Sequence, residues 1–403
     1  MYPYGKSKML RTNTVLTIPD AGRVALKEVS YPRIAPGFAL IKVVIAPICI
    51  EHQIYRDHTF EWHEDEENLG HEGVGVIEEV AEGSRFSVGD RVVIYQGNPC
   101  GSCFVCEQGL SPTHCLAIPY EDMAGSGGGD PHALLESLGG AEAMTTKGGL
   151  RSIELECNSE SGGFGFSKYR LAPESMIQKI PDDLPFRYAA AANCSNGCTY
   201  TGVEEAGVGP GDVVMVGGIG FIGFGAIINA KYRGATVIAL GRNEFRMDLA
   251  QKIGADYIID PDDPDWLRKV HEITGDKKGV DAVFECSGYP YYQKRCLQAV
   301  RRYGQYRMFG FLVGSDEPLP IHLLDEIHNR HVTMSGNHDV NVNHREGLIR
   351  MLQDPEVQRA TDLMVTHEFN MSDGAAAFEA CLSKKAGKVY LYPQEDCPVG
   401  ASH

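Results

Sequence analysis

The sequence predicts an α/β protein in which a doubly wound parallel sheet is joined to a smaller β-rich domain. Short β-rich runs separated by proline and glycine fill the first part of the chain. Short apolar runs that alternate with helix-length segments fill the later part. In addition, 403 residues are many for a single hydrophobic core, so we expect two domains.

The β-rich part extends to about Tyr95 and predicts a small twisted barrel or sandwich. Its strand-like runs are VLTIPD from Val15, FALIKVVIAP from Phe38, GVGVIEEV from Gly73 and DRVVIY from Asp90. Short strands that alternate with turn residues are typical of such folds.

From about Gly211 the pattern changes to strands that alternate with helices, which is typical of a doubly wound parallel sheet. The apolar runs here are DVVMVG, TVIALG, DYIID, DAVFECSG, QYRMFGF and VTMSG. After Gly336 the pattern is mixed, and it closes with the strand-like GKVYLYP from Gly387. Between the two parts, the irregular residues 116–162 predict a lid, a binding segment or a subunit contact, with a plain surface loop as the alternative.

Composition and charge limit the classes of partner. The chain is 43% hydrophobic, and its formal net charge of −17 opposes binding to nucleic acid or anionic lipid. No stretch is apolar enough to span a bilayer, and the first ten residues lack the apolar core of a secretory signal. We therefore expect a cytoplasmic protein that acts on a small molecule.

Gly218, Gly220 and Gly223 form a GxGxxG motif between the apolar run VVMV and the helix-like FIGFGAIINAKY. Such glycines permit a tight turn, let the backbone approach a pyrophosphate and allow close packing of the helix, whose N-terminus faces the phosphates. Because a strand precedes the motif and a helix follows it, we predict a dinucleotide site here. Phe221 and Ile222, at the start of the helix, belong to the same predicted site.

The next strand ends in Gly241, Arg242 and Asn243, where an NAD-specific site would place an acidic residue. The missing carboxylate removes repulsion toward a 2′-phosphate, and Arg242, together with Arg246, would supply charge-assisted bonds to it. These residues favour NADP over NAD. The alternative is that Arg242 stacks on the adenine and discriminates little between the two.

Four of the twelve cysteines lie close together in NPCGSCFVCEQGLSPTHC, namely Cys100, Cys103, Cys106 and Cys115. Thiolates at such short intervals indicate a closed tetrahedral zinc site. An iron–sulfur cluster is disfavoured. In the bacterial ferredoxin run, three residues separate the third cysteine from the fourth and proline follows the fourth, and this sequence has neither feature. The cysteines without evident ligand partners, interpreted as plain thiols, are Cys157, Cys286, Cys296, Cys381 and Cys397.

Four features occur in one order: GHEGVGVIEEV from Gly70, VGDRV from Val88, the cysteine lobe at about 97–116 and the glycine loop. In this order they resemble the zinc-dependent medium-chain dehydrogenase/reductase family over nearly the whole chain. The resemblance implies a GroES-like β-barrel catalytic domain, a Rossmann NAD(P)-binding domain and a final segment that returns to the catalytic domain. The corresponding ranges are 1–194, 195–336 and 337–403.

The resemblance also implies a catalytic zinc on Cys49 in APICIEH, His71 in GHE and Cys194 in AANCSNGC. Each alone is more simply a buried thiol or a core histidine, but two thiolates and an imidazole together suit zinc with one open position. Cys198 competes with Cys194, although the family alignment places it where a cofactor-contacting threonine is common. Glu72 matches the acidic residue that approaches the metal during ligand exchange.

Glu51 and His52 depart from the family pattern. A serine or threonine that relays the alcohol proton commonly stands at the position of Glu51, and an aspartate at that of His52. Glu51 is then either a general base or a partner that orients His71, and both readings stay open.

Other positions have weaker assignments. The family spacing puts His114 in register as the fourth lobe ligand, but we favour Cys115 because its three companions are thiolates. Lys388 would reach the cofactor pyrophosphate, yet a surface lysine is the simpler interpretation. In this family the segment between the first two catalytic ligands often lines the substrate cleft, and its candidates are His58, Trp62 and His63.

These features predict an NAD(P)-dependent alcohol dehydrogenase with two zinc ions per subunit. Its substrate would be a secondary alcohol, a polyol, a sugar-like compound or the corresponding carbonyl. The resemblance further implies a homodimer or homotetramer. One alternative is an enzyme of the same fold that uses transient oxidation for elimination or epimerisation, and another is a non-catalytic cofactor-binding protein.

Overall fold

The computed structural model of the chain describes residues 11–34, 36–58, 69–97, 99–116, 165–310, 319–395 and 399. These residues build three sheets. The candidates Trp62 and His63 lie outside the described residues, as do Cys397 and the segment 116–162 apart from its first residue.

The strands are numbered in chain order. They are β1 (Thr12–Asp20), β2 (Arg23–Ser30), β3 (Phe38–Ile48), β4 (Gly73–Val80), β5 (Arg91–Ile94), β6 (Tyr169–Pro173), β7 (Ile177–Lys179), β8 (Val213–Gly217), β9 (Thr236–Leu240), β10 (Tyr257–Ile259), β11 (Val280–Glu285), β12 (Val300–Met308), β13 (Thr333–Gly336), β14 (Val365–Asn370) and β15 (Lys388–Tyr392).

The α-helices are numbered in the same way. They are α1 (Glu51–Asp57), α2 (Phe104–Glu107), α3 (Phe186–Ala189), α4 (Ser195–Glu205), α5 (Phe221–Tyr232), α6 (Glu244–Ile253), α7 (Trp266–Thr274), α8 (Pro290–Ala299), α9 (Arg345–Leu352), α10 (Pro355–Met364) and α11 (Gly374–Leu382). Short 3₁₀ helices include Pro112–His114 and Val342–His344, and a π-helical turn spans Leu323–Ile327.

The β-rich part contains a two-stranded antiparallel sheet of β1 and β2 and a seven-stranded sheet. In the larger sheet the strand order is β14-β15-β3-β4-β5-β7, and β6 also pairs with β3. β3 reads as a continuous apolar run, and all of its residues except Lys42 are buried, as expected for a central strand covered on both faces.

The second part is a six-stranded sheet in the order β10-β9-β8-β11-β12-β13, and every neighbouring pair is parallel. The order reverses between β8 and β11, which is where ligands bind in sheets of this type. The glycine loop follows β8 at this point. The predicted fold class, with its doubly wound parallel sheet and small β domain, is confirmed.

After the parallel sheet the chain returns to the seven-stranded sheet, in which β15 pairs antiparallel with β3 and parallel with β14. The predicted boundaries at residues 194 and 336 stay a prediction. Within the described parts of the chain, none of the helices is both long enough and apolar enough to cross a membrane.

Candidate functional site

Cys49, His71, Glu72 and Cys194 converge although they lie far apart in the sequence. Their ligand atoms all lie within 4.8 Å of one another, and the two sulfur atoms are 3.7 Å apart. Cys49 follows β3, His71 and Glu72 precede β4, and Cys194 precedes α4. Two sulfurs and an imidazole at this separation fit a zinc ion, and the carboxylate stands beside them.

Glu51 lies next to this cluster and accepts hydrogen bonds from His71 and Cys49. Its side chain is fully buried, and its carboxylate accepts bonds from Nδ1 of His71 at 2.7 Å and from the backbone N–H of Cys49 at 2.9 Å. A histidine that donates from Nδ1 offers Nε2 as the metal-binding atom. Of the two readings of Glu51, these contacts favour the partner that orients His71.

The groups around Cys49 and His71 shift the pKa of both side chains. A hydrogen bond with Cys194 lowers the pKa of Cys49 well below its usual value against the opposing effect of burial, and Lys388 and His71 lower it further. Burial lowers the pKa of His71, but Glu51 and Cys49 outweigh it and raise that pKa. Cys49 therefore has thiolate character, which is the form that binds metal.

Lys388 and Glu72 form a fully buried ion pair beside the cluster, with Nζ 2.5 Å from Oε1. The interpretation of Lys388 as a surface lysine is therefore wrong: the lysine begins β15, which is inserted between two other strands and buried throughout. Burial raises the pKa of Glu72 to about 7, and Lys388 opposes this. Lys388 also lies 5.6 Å from the ring centre of Phe221, at the start of α5.

The second cluster contains Cys100, Cys103, Cys106 and Cys115, whose sulfur atoms also lie within 4.8 Å of one another. The distances from Cys103 to Cys106 and from Cys106 to Cys115 are 3.5 and 3.7 Å. The set supplies four sulfurs and thus fits a closed zinc site. His114 is not part of it, because its ring faces His338 at a centroid distance of 5.4 Å.

The glycine loop after β8 has the shape that a dinucleotide needs. Gly218 has φ +90°, and a Cβ there would lie 2.6 Å from Ser287, while a Cβ on Gly223 would lie 2.2 Å from the Gly218 carbonyl oxygen. A side chain at Gly220 would meet only Arg246, at 3.9 Å, so the loop leaves open space above this residue. Open space over a helix N-terminus fits a pyrophosphate.

The two arginines of the predicted cofactor site occupy different places. Arg242 is exposed after β9, 3.5 Å from Asp262 and 5.2 Å from the ring centre of Tyr291. Arg246 is half-buried in α6 and points toward Gly220, and its Nε atom has no hydrogen-bond partner. A half-buried cation with an unsatisfied donor beside this loop fits the phosphates of a cofactor.

The comparisons with known proteins agree with this geometry. A model of the alcohol dehydrogenase GroES-like domain matches residues 35–182, and a model of the zinc-binding dehydrogenases matches residues 222–354. An alcohol dehydrogenase from Geobacillus stearothermophilus is 30% identical over 305 residues, which cover 73% of this chain and 76% of the relative. The chain belongs to the zinc-dependent medium-chain dehydrogenase/reductase family.

Other members of the family match nearly the whole chain. A sorbitol dehydrogenase from Halalkalibacterium halodurans is 28% identical over 386 residues, or 94% of this chain and 98% of the relative. The solved structure of the alcohol dehydrogenase TADH from Thermus sp. ATN1 has a TM-score of 0.75 at 25% identity and covers 94% of this chain and 100% of its own. The likeness therefore extends over both domains of the family fold.

In this medium-chain dehydrogenase/reductase, His52 links the first cluster to the start of α5. Its Nδ1 contacts the carbonyl oxygen of Cys49, and its ring meets that of Phe221 at 5.8 Å. Burial lowers the pKa of His52. His58 instead bonds the backbone of β1, with its Nε2 3.1 Å from the carbonyl oxygen of Ile18.

The remaining predicted positions lie around the same centre. Gly241 gives room to the glycine loop, because a Cβ there would lie 2.4 Å from Ile219. Ile222 follows Phe221 on the first turn of α5 and packs against the main core.

Cys198 is buried, outside both cysteine clusters, and contacts the carbonyl oxygen of Asn337 at 3.9 Å. The other thiols within the described residues are unpaired and also lie outside the clusters, namely Cys286, Cys296 and Cys381.

Sequence reasoning missed two contacts of the site. The Asn193 side chain donates to the carbonyl oxygen of His71 at 3.1 Å. Because Asn193 directly precedes Cys194, this bond holds the segments of two predicted ligands together. The pairing of His114 with His338 was also missed. Both contacts join distant segments, and the sequence carries no local signal for either.

Proposed function

We propose that the protein is a zinc-dependent dehydrogenase that oxidises secondary alcohols, including polyols, with NAD(P), and that reduces the corresponding carbonyls. The observation that carries this proposal is the open ligand set of Cys49, His71 and Cys194 beside the start of the cofactor helix. The nearly full-length match to a sorbitol dehydrogenase supports a polyol as the substrate.

Cys49, His71 and Cys194 would hold the catalytic zinc, which when bound supplies Lewis acidity toward a substrate oxygen. Glu51 fixes the orientation of His71 through Nδ1 and keeps Nε2 directed into the cluster. Lys388 holds Glu72 beside the cluster by a bond at 2.5 Å. The buried setting of these groups strengthens their electrostatic interactions, because little water screens them.

The glycine loop would place the nicotinamide cofactor across the cleft from the metal ligands, and the hydride chemistry belongs to that cofactor. We assign binding of the 2′-phosphate of NADP to Arg242. Its ion pair with Asp262 is exposed and therefore weak, so Arg242 can release Asp262 and bind the phosphate instead. We assign the pyrophosphate to Arg246, because its guanidinium lies toward Gly220. NADP is therefore the preferred cofactor in this proposal, with NAD as the second choice.

Cys100, Cys103, Cys106 and Cys115 would hold a second zinc that stabilises the lobe. The proposal also includes a small-molecule substrate, a cytoplasmic location and a homodimer or homotetramer, which rest on the sequence and on the family. Nucleic acid and membrane are not expected partners, given the net charge of −17.

The decisive experiment incubates zinc-loaded protein with NAD and with NADP against simple secondary alcohols, polyols and sugars, and follows reduced nicotinamide by its absorbance. We expect steady accumulation with at least one polyol, and none with Cys49→Ser loaded in the same way. Product without net reduced cofactor would contradict the proposal and indicate transient oxidation instead. An absence of any product from protein with both metal sites filled would also contradict it.

A further inference from the structure

The cysteine lobe, defined here as residues 99–116, packs against the segment 337–344 that follows β13. The backbone N–H of Asn343 donates to the carbonyl oxygen of Gly109 at 2.9 Å. The Ser111 hydroxyl lies 3.5 Å from Oδ2 of Asp339. These contacts attach the lobe to the segment that follows the last strand of the parallel sheet.

At the edge of this contact, two imidazoles from different domains face each other. The rings of His114 and His338 are 5.4 Å apart at their centroids and meet edge to face. Both residues are exposed to solvent, unlike Ser111 and Asp339 beneath them. An exposed pair of polar rings above a buried contact is accessible to a small molecule.

The backbone holds His338 in this position at a conformational cost. Asp339, the next residue, is buried and has φ +64°, a left-handed conformation that is uncommon for residues other than glycine. Such conformations persist where the surrounding structure enforces them, and they concentrate at functional sites. The strained turn at Asp339 therefore directs the preceding imidazole toward the lobe.

The pair lies close to the proposed catalytic cluster. Asn337, the residue before His338, also contacts Cys198 through its carbonyl oxygen, and Cys198 lies one helical turn after Cys194. A substrate bound at the cluster would therefore extend toward the two imidazoles.

We propose that His114 and His338 form a second binding position, which hydrogen-bonds the hydroxyl groups of a polyol beyond the carbon that is oxidised. This inference rests on the proposed function and assigns the zinc-held lobe a part in substrate selection. A neutral imidazole offers one donor and one acceptor, and a hydroxyl group also donates and accepts. A simple secondary alcohol has no hydroxyl that would reach this position.

The test compares erythritol with 2-butanol, which shares a four-carbon chain but has a single hydroxyl group. The kcat/KM values of both are measured for zinc-loaded wild type, His114→Phe and His338→Phe, with His338→Asn as a variant that keeps a donor and an acceptor. His271→Phe, in α7, which carries none of the proposed site residues, is the matched control.

We expect each phenylalanine variant to lower the ratio of the erythritol value to the 2-butanol value by about threefold to tenfold, the effect of one lost hydrogen bond. His338→Asn should restore most of the ratio, and His271→Phe should leave it unchanged. Equal losses on both substrates would overturn the inference, because they would indicate a structural role alone. An unchanged ratio would overturn it too, and the proposed function would still stand.

A binding measurement keeps the inference testable apart from turnover. Erythritol is titrated calorimetrically into zinc-loaded protein saturated with reduced cofactor, which cannot oxidise it, for wild type and for His338→Phe. We expect the dissociation constant to rise by about threefold to tenfold in the variant. Equal dissociation constants would overturn the inference even if the protein proved to be inactive as a dehydrogenase.

Discussion

The Nζ atom of Lys388 lies 2.5 Å from Oε1 of Glu72, although the two residues are 316 positions apart in the chain. Both side chains are fully buried, and Oε2 of Glu72 has no hydrogen-bond partner. The pair connects β15, the segment before β4 and the start of the cofactor helix. It therefore joins the cluster of Cys49, His71 and Cys194 to the helix that follows the glycine loop.

Replacing Lys388 by Met should destabilise the protein strongly, since it leaves the Glu72 carboxylate buried without its cation. Loss of one partner of a buried pair costs about 3–5 kcal/mol, and denaturant unfolding of the zinc-loaded protein measures it. The double variant Lys388→Met/Glu72→Gln should recover part of the loss. As a control, Lys252→Met breaks a surface pair with Asp248 and should change stability by less than about 1 kcal/mol. A Lys388→Met protein as stable as this control would contradict the buried pair.

Asp339 should make stability fall as the pH rises between about 4 and 6. Burial raises the pKa of its carboxyl to about 6 in the folded protein, against 3.8 for the ordinary group. Because the folded state binds the proton more tightly, the stabilisation is complete below the lower value and is lost as the pH passes the higher one. Asp339→Asn should remove about 1–3 kcal/mol of this pH dependence. Unfolding free energies of variant and wild type at about pH 5 and about pH 7 provide the measurement, and identical pH slopes would refute the argument.

The two cysteine clusters should respond differently to the loss of one ligand. Cys49→Ser should abolish turnover and lower the unfolding free energy only by the binding energy of the lost ion, because the surrounding core does not depend on that ion. Cys103→Ser should lower that free energy by more than about 3 kcal/mol, since a closed zinc site contributes to folding directly.

Elemental analysis should find two zinc ions per subunit in wild type and one in either variant. Cys286→Ser, outside both clusters, should keep both ions and serves as the control. An active Cys49→Ser enzyme would count against the assignment of the catalytic site.

Arg242→Ala should reduce the preference for NADP over NAD by about tenfold or more, the effect of losing a charge-assisted bond to the 2′-phosphate. The ratio of kcat/KM values for the two cofactors measures it. Arg246→Ala should instead weaken both cofactors alike, because the pyrophosphate is common to them. Arg268→Ala changes an exposed arginine on α7 and should have no effect. An unaltered cofactor ratio in Arg242→Ala would refute the phosphate assignment.

The elements that the sequence predicts well are those specified by neighbouring residues. The alternation from Gly211 onward predicts the parallel sheet, and the spacing of Gly218, Gly220 and Gly223 between an apolar strand and an apolar helix predicts the loop that the structure has. The cysteine lobe is likewise local, because its four ligands lie within sixteen consecutive residues, 100–115. In each case the signal depends on short-range geometry alone.

The contacts that the sequence does not reveal join distant segments. Lys388 opens a strand whose neighbours, β3 and β14, are fixed only by tertiary pairing, so its burial was predicted wrongly. The meeting of His114 with His338 depends on how the lobe packs against the parallel sheet. No periodicity or spacing within either segment carries this information.

The insertion of β15 between β3 and β14 has a consequence for biosynthesis. The strands of the parallel sheet are all present in the nascent chain once β13 has left the ribosome, so that sheet is able to assemble early. The sheet that carries Cys49 must wait for a partner synthesised some 340 residues later. A chain truncated before β15 would thus have a formed parallel sheet and an exposed, incomplete seven-stranded sheet, which is a ready substrate for chaperones and proteases.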